Sequence, residues 1–212
     1  MKELSNQATF NSVAELLDIE NFTDFIIAKI YSQNTSVDHN IMAWKPQEGG
    51  KWKWILNDLD RGFFKPGSNL ISYYVDRNVI PFIQLLTHDT YKKYFGKRLA
   101  DHLFTTFDPE RVKPIIDQFS KNIEAEIPKH IERWKGTSSS YGNPIPSVDY
   151  WKNEVQKMET FADARPTALL NDLKNYGFKN PASLSIAISP ANSGTFGFNG
   201  IKINQSFSQG GY

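Results

Sequence analysis

Lys51-Trp52-Lys53-Trp54-Ile55-Leu56-Asn57-Asp58-Leu59-Asp60-Arg61-Gly62-Phe63 is the stretch around which the chain is organised. Apolar and polar side chains alternate from Trp52 to Trp54, and the run turns apolar at Ile55 and Leu56, the pattern of a β-strand. The strand is expected to end on Asp58 and Asp60, which share a face because alternate residues of a strand point the same way. Gly62 gives the backbone the freedom for a sharp turn just after them. Two carboxylates delivered in this way suit a hard divalent cation such as Mg²⁺, which keeps water and substrate phosphate among its ligands. The plainer reading is a surface hairpin whose acids are only solvated, since D-x-D is short and common.

Upstream, Ile41-Met42-Ala43-Trp44 reads as a second short strand, and Pro46 to Gly50 as the turn between the two. An antiparallel hairpin follows. It brings the Asp38/Asn40 end to the same edge as Asp58 and Asp60. Before it, Asp18 is an N-cap, and Phe22, Phe25, Ile26, Lys29 and Ile30 keep helical spacing to about Tyr31. Residues 1–17 are mixed, with an apolar patch at Val13, Leu16 and Leu17.

Downstream, residues 64–78 read as a loop anchored by Tyr73 and Tyr74. A helix begins at Asp89. Asp108-Pro109-Glu110 opens another that reaches Trp134, with Pro128 as a kink. Ser147 caps the last long helix, which Pro166 bends or restarts, and Gly177 closes it. The face carrying Trp52 and Trp54 is expected to pack on the helices after Val79. From Ala182 the pattern becomes alternating: Leu184, Ile186 and Ile188, a turn over 189–194, then Phe196, Phe198, Ile201 and Ile203. This predicts a β-hairpin, the start of a separate module over 182–212.

Composition narrows the function classes. A formal charge of +1 gives no global field for nucleic acid or a membrane surface. Fifteen Phe, nine Tyr and five Trp supply enough aromatic bulk for a real core. No apolar run approaches the roughly 18 residues of a membrane span. The absence of cysteine excludes disulfides, thiol catalysis and zinc–thiolate sites. His39, His88, His102 and His130 lack HExxH spacing, and neither G-x-S-x-G nor a P-loop motif is present. The glycines from Gly194 to Gly200 belong to hairpin turns.

Asp38, Asn40, Asp58 and Asp60 remain. An acid near an amide, facing a second acid across a hairpin, is the chemistry of phosphoryl transfer. One Asp accepts the proton of the substrate hydroxyl, and the Asn and another Asp hold Mg²⁺ against nucleotide phosphates.

The runs from Asp18 to Phe25, Ile30-Tyr31, Asn34-Thr35, Asn40-Ile41 with Trp44, Lys51 to Trp54, and Asp58 to Phe63 resemble the CotH family of atypical, spore-coat-type protein kinases. Arg133-Trp134, Trp151 and Phe161 to Pro166 resemble its helical C-terminal half. The likeness covers about Asp18 to Phe178. It implies an α+β fold: an acid-bearing β-hairpin on a mainly helical kinase-like C-lobe (1–178), followed by the β-hairpin appendage (182–212).

The resemblance also implies transfer of phosphate from ATP, with Mg²⁺ or Mn²⁺, to a serine of a protein substrate, on a bacterial surface or outside the cell. By position, Asp58 matches the metal aspartate, Asn40 a second metal or phosphate ligand, and Asp60 a supporting acid. The family's N-x-D-W-x-x-N-N run stands here as Asn34-Thr35-Ser36-Val37-Asp38-His39-Asn40-Ile41, one residue short. Strict alignment puts Ser36 at the place of the catalytic base, and a local shift puts Asp38 there. No N-lobe with a phosphate-covering loop is visible, so the chain is expected to be the C-terminal part of a longer protein. The rival reading is a non-catalytic surface or spore-coat protein that keeps the fold for binding.

Overall fold

The computed structural model describes residues 4–37, 39–138 and 142–179, and the short pieces 183–185, 189–190, 193–194, 196–198, 201–203 and 209–211. Among these residues the chain is mainly helical with small antiparallel sheets, an α+β arrangement. The elements are α1 (Gln7–Leu16), α2 (Ile19–Tyr31), β1 (Met42–Trp44), β2 (Lys53–Ile55), α3 (Leu70–Asp76), α4 (Phe82–Leu86), α5 (Asp89–Leu103), α6 (Pro109–Glu124), α7 (Ile127–Trp134) and α8 (Val148–Lys174). The C-terminal strands are β3 (Ser183–Ser185), β4 (Phe196–Phe198), β5 (Ile201–Ile203) and β6 (Gln209–Gly211).

The core gathers around α2. Asp18 caps it by accepting from the Asn21 N–H at 3.0 Å, and Glu20 sits favourably in its first turn. Phe22, Ile26, Ile27 and Ile30 bury one side of the helix against Leu70, Ile71 and Tyr74 of α3, Phe82 and Leu85 of α4, Phe95 and Leu99 of α5, and Leu169 of α8. The α5 helix is also pinned to α2 by ions. Arg98 Nε donates to Asp24 Oδ1 at 2.7 Å, Arg98 Nη2 to Asp24 Oδ2 at 2.8 Å, and the His102 ring stands 2.9 Å from Asp24 Oδ1.

The hairpin forms as the alternation requires, with Met42 opposite Ile55, Ala43 opposite Trp54 and Trp44 opposite Lys53. Asn21 docks it on α2, accepting from the Trp54 N–H at 2.6 Å and donating to the Trp54 carbonyl at 3.3 Å. The Trp54 ring lies edge-on to Phe22 at 4.7 Å. Trp52 bridges in parallel to Leu17 between α1 and α2. The tryptophan face therefore meets α1 and the start of α2 rather than packing chiefly on the helices after Val79. Ile80, Pro81 and, from α4, Gln84 line the same groove.

Several other expectations are corrected. Residues 7–16 form α1, capped by Asn6. Residues 70–76 form α3, whose cap Asn69 accepts from the Ser72 N–H at 2.9 Å, so Tyr74 is a helical core residue and not a loop anchor. The helix opened by Asp108 stops at Glu124, and Pro128 stands in the first turn of a new helix, where its missing N–H is harmless. By contrast α8 runs through Pro166. Burial of Phe161, Ala162 and Leu169 on both sides offsets the hydrogen bond that the proline removes. At the C-terminus β3 pairs with β6, and β4 with β5, instead of β3 with β4 as a single hairpin; Ile186 and Ile188 lie outside the described residues. No helix among the described residues is long and apolar enough to cross a membrane.

Candidate metal and phosphate site

Continued one pair at a time past Met42 and Ile55, the hairpin register sets Ile41 opposite Leu56 and Asn40 opposite Asn57. In that register Asp58 would stand opposite His39, on the other face of the pleat from Asn40. Asn40 and Asp58 do meet: the Asn40 amide donates to Asp58 Oδ2. Both residues are left-handed, Asn40 at φ 56° and Asp58 at φ 55°. Asn and Asp tolerate that region better than most residues, and its occurrence at two facing polar side chains is typical of functional sites.

The strand ends at Ile55, so Asp58 and Asp60 do not sit on it in alternation. They follow it in an irregular segment held by α2. Asn34, buried just past that helix, donates from Nδ2 to the Asp58 carbonyl at 2.9 Å. Its Oδ1 accepts from the Ser36 N–H at 3.0 Å, and its own carbonyl accepts from the Tyr74 hydroxyl at 2.7 Å. The Phe63 N–H closes on the Ser32 carbonyl at 2.9 Å, with Phe63 at φ 64°.

Gly62 matters for a different reason from the expected one. The left-handed residues of this turn are Asp58 and Phe63, while a Cβ on Gly62 would stand 2.4 Å from the Ser32 carbonyl oxygen. Glycine is needed there for close approach.

Lys29 is the residue sequence reasoning passed over. It is 2 % exposed, and its Nζ donates to the Ser36 carbonyl at 2.9 Å. Burial pushes its pKa below the usual lysine range, and the Asp58 charge opposes that shift. A cation behind the loop thus faces Asp58 from the protein side. The signal was a lysine in register with Phe25, Ile26 and Ile30 on the apolar face of α2.

A cleft of about 690 Å³ opens over this arrangement. Ser36, His39, Asn40, Asp58, Asp60 and Arg61 line it. Asn40 and Asp58 are bonded to each other, Asp60 shares their cleft, and Asp38 lies outside the described residues. Among the described residues no three of His, Cys, Asp or Glu gather as a metal site. A cation here would therefore have one carboxylate and one amide oxygen from the Asn40–Asp58 couple, completed by water and phosphate. Mg²⁺ accepts such a donor set, since it is usually bound by one or two carboxylates plus substrate oxygens. Arg61, in the same cleft, can meet a phosphate charge.

Comparison with known proteins places these observations in a family. A family model described as CotH kinase protein matches residues 1–169, most of the chain. No curated protein and no solved structure matches it.

Proposed function

The chain belongs to the CotH kinase protein family, and from that premise we propose that it serves phosphoryl transfer from a metal–ATP complex to a serine of a protein. The observation that carries this reading is the Asn40–Asp58 couple, two left-handed residues joined side chain to side chain at the floor of a polar cleft. Asn40 and Asp58 would hold Mg²⁺ or Mn²⁺, with Asp60 as a supporting acid. When bound, the ion would neutralise charge on the nucleotide phosphates. The chain's own part is positioning: Asn34 fixes the Asp58 backbone, Lys29 balances the Asp58 charge, and Arg61 faces the cleft. The γ-phosphoryl leaves ADP for the serine Oγ, and the serine proton passes to the base, for which the resemblance offers Asp38. A spore-coat or cell-surface setting goes with this reading.

One observation favours a second reading, a non-catalytic binding protein. By strict alignment with the family's pattern Ser36 stands at the base position, and a serine brings no carboxylate; its N–H is held by Asn34 and its carbonyl by Lys29.

Thermal melting and phosphate transfer decide between the two. Mg²⁺ or Mn²⁺ should raise the melting temperature progressively with concentration, by mass action on the folded state. Asp58→Asn should abolish that rise while the metal-free protein melts within a few degrees of the parent. Label from [γ-³²P]ATP should reach serine in the parent protein and not in Asp58→Asn. Absence of both metal-dependent melting and transfer would leave the binding-protein reading.

A further inference from the structure

Three depressions adjoin one another, each sharing lining residues with the next. The acid-bearing cleft shares Asp60 and Phe64 with a second depression, of about 720 Å³, between the 59–66 loop and α8. That one shares Phe63 and Met158 with a third, of about 410 Å³, between α6 and α8. The walls change along the path. They are polar at the cleft and mixed in the middle, where Lys65, Glu154 and Lys157 stand beside Phe64 and Pro66. At the far end they are almost wholly apolar, with Ile115, Phe119, Ile123 and Trp151.

The α6 helix explains the far end. Of its side chains only Ile116 is buried, yet Ile115, Phe119 and Ile123 recur every four residues and stand 42, 67 and 50 % exposed. A helix already seated on α8 that keeps a further apolar stripe in solvent, beside a groove, marks a surface that something else covers.

We infer that this channel takes an extended segment of the acceptor protein, with its serine over Asn40 and Asp58 and a large apolar side chain in the α6–α8 groove. The inference rests on the phosphoryl-transfer reading for the role of the cleft. Continuity singles out a polypeptide. One small molecule would not span a polar, a mixed and an apolar depression in series, whereas an extended chain presents backbone to the middle and side chains to both ends. Depressions of this size, at ~3.3 Å per residue, separate the serine from the apolar anchor by roughly four to six residues.

The test uses fluorescent serine peptides with and without a Phe four to six residues from the serine, on either side. Binding is read by anisotropy and transfer by label from ATP in Mg²⁺. The protein should prefer the Phe-bearing peptide by about tenfold in Kd and KM, the scale expected for burying one aromatic ring. Phe119→Asp should erase that preference and leave kcat and the Phe-free peptide unchanged. Its melting curve should match the parent's, and Ile123→Ser should act in the same direction more weakly.

A wild-type protein indifferent to the Phe would overturn the channel, as would a preference that survives Phe119→Asp. A Phe119→Asp effect confined to the sedimentation mass would also overturn it, by making a second copy of the chain the occupant. Preference in binding without transfer keeps the channel and sinks the phosphoryl-transfer reading, and transfer without preference does the reverse.

Discussion

Replacing Arg165 by methionine should be among the most damaging single changes in this chain. Arg165 lies on α8 at zero exposure. Its guanidinium donates to four backbone carbonyls: Nε to Tyr31 at 3.0 Å, Nη2 to Ile30 at 2.6 Å, and Nη1 to Pro66 at 2.5 Å and Ser68 at 2.7 Å. Two of those carbonyls close the C-terminus of α2, where helix carbonyls lack partners and a cation is favoured. The other two belong to the loop that follows the acid cleft. One side chain thus joins the end of the central helix to the segment beyond Gly62.

Methionine fills similar volume but withdraws the guanidinium from all four carbonyls, of which that of Ile30 keeps the Gln33 N–H at 3.2 Å. Summing four charge-assisted bonds would overshoot, because the buried guanidinium also carries a desolvation cost. A loss of about 3–5 kcal/mol is expected, the scale of breaking a buried charged network from one side. That is a large part of a total stability of roughly 5–15 kcal/mol. Arg165→Lys keeps the charge without the planar fork and should lose about half as much. Urea titration reads both. With a slope of roughly 2–3 kcal/mol per molar, the lysine variant should move its midpoint down by about 1 M. A methionine variant within about 1 kcal/mol of the parent would refute the idea that Arg165 holds the loop to α2.

Three further changes test other joints. Burial alone would raise the Asp24 carboxyl, but hydrogen bonds from Arg98 and His102 outweigh it and hold the pKa at about 2. A depressed acid stabilises the fold above its unfolded value of 3.8 and loses that contribution as pH falls through about 2. Acid unfolding between those limits should therefore flatten in Asp24→Asn by about 1–2 kcal/mol, discounted for the carboxylate's partial exposure; an unchanged acid limb would refute the coupling. Gly62→Ala should cost at least about 2 kcal/mol in denaturant and blunt metal-dependent melting, since its methyl meets the Ser32 carbonyl; a neutral variant would show that the 59–63 turn yields easily. Trp54→Ala, stripping the ring from Phe22, should cost about 2–3 kcal/mol, whereas Trp52→Ala, at a residue 40 % exposed, should cost about 1 kcal/mol; the reverse order would mean the hairpin register is misread.

How much of this was legible in the sequence follows from the range of the forces involved. Local signals held. Asp18, Asp108 and Ser147 cap the helices they were expected to cap, because a cap depends on residues within one turn. Alternation around Trp54 gave the hairpin, which brings the Asn40 end and the Asp58 end to one edge, and the left-handed backbone at both residues accompanies their contact. Signals that depend on tertiary partners did not hold. Residues 70–76 are too short to announce a helix, and become one because Leu70, Ile71 and Tyr74 find α2. Pro166 was expected to bend or restart α8; the helix runs through it without a restart, with buried packing on both sides. The aspartates were expected on a strand, and sit beyond it because Asn34, from another element, captures the Asp58 carbonyl.

That capture shows where the site's precision comes from. The acids sit on irregular backbone, and left-handed residues such as Asn40 and Asp58 each cost energy to maintain. The conformation persists because the buried side of the loop is fixed at several points. Tyr74 holds the Asn34 carbonyl, Asn34 holds Ser36 and Asp58, Lys29 holds Ser36, and Ser32 holds Phe63 across a glycine that no other residue could replace without displacement. Every one of these anchors traces to α2 or to a helix packed against it. On the phosphoryl-transfer reading proposed above, positioning supplies most of the catalysis, so ligands set in place before a nucleotide arrives would count for much. Burying Lys29, Asn34 and Arg165 is expensive, and what it secures is the backbone beneath the cleft: Ser36 and Asp58 are held from the core side, independently of any ion.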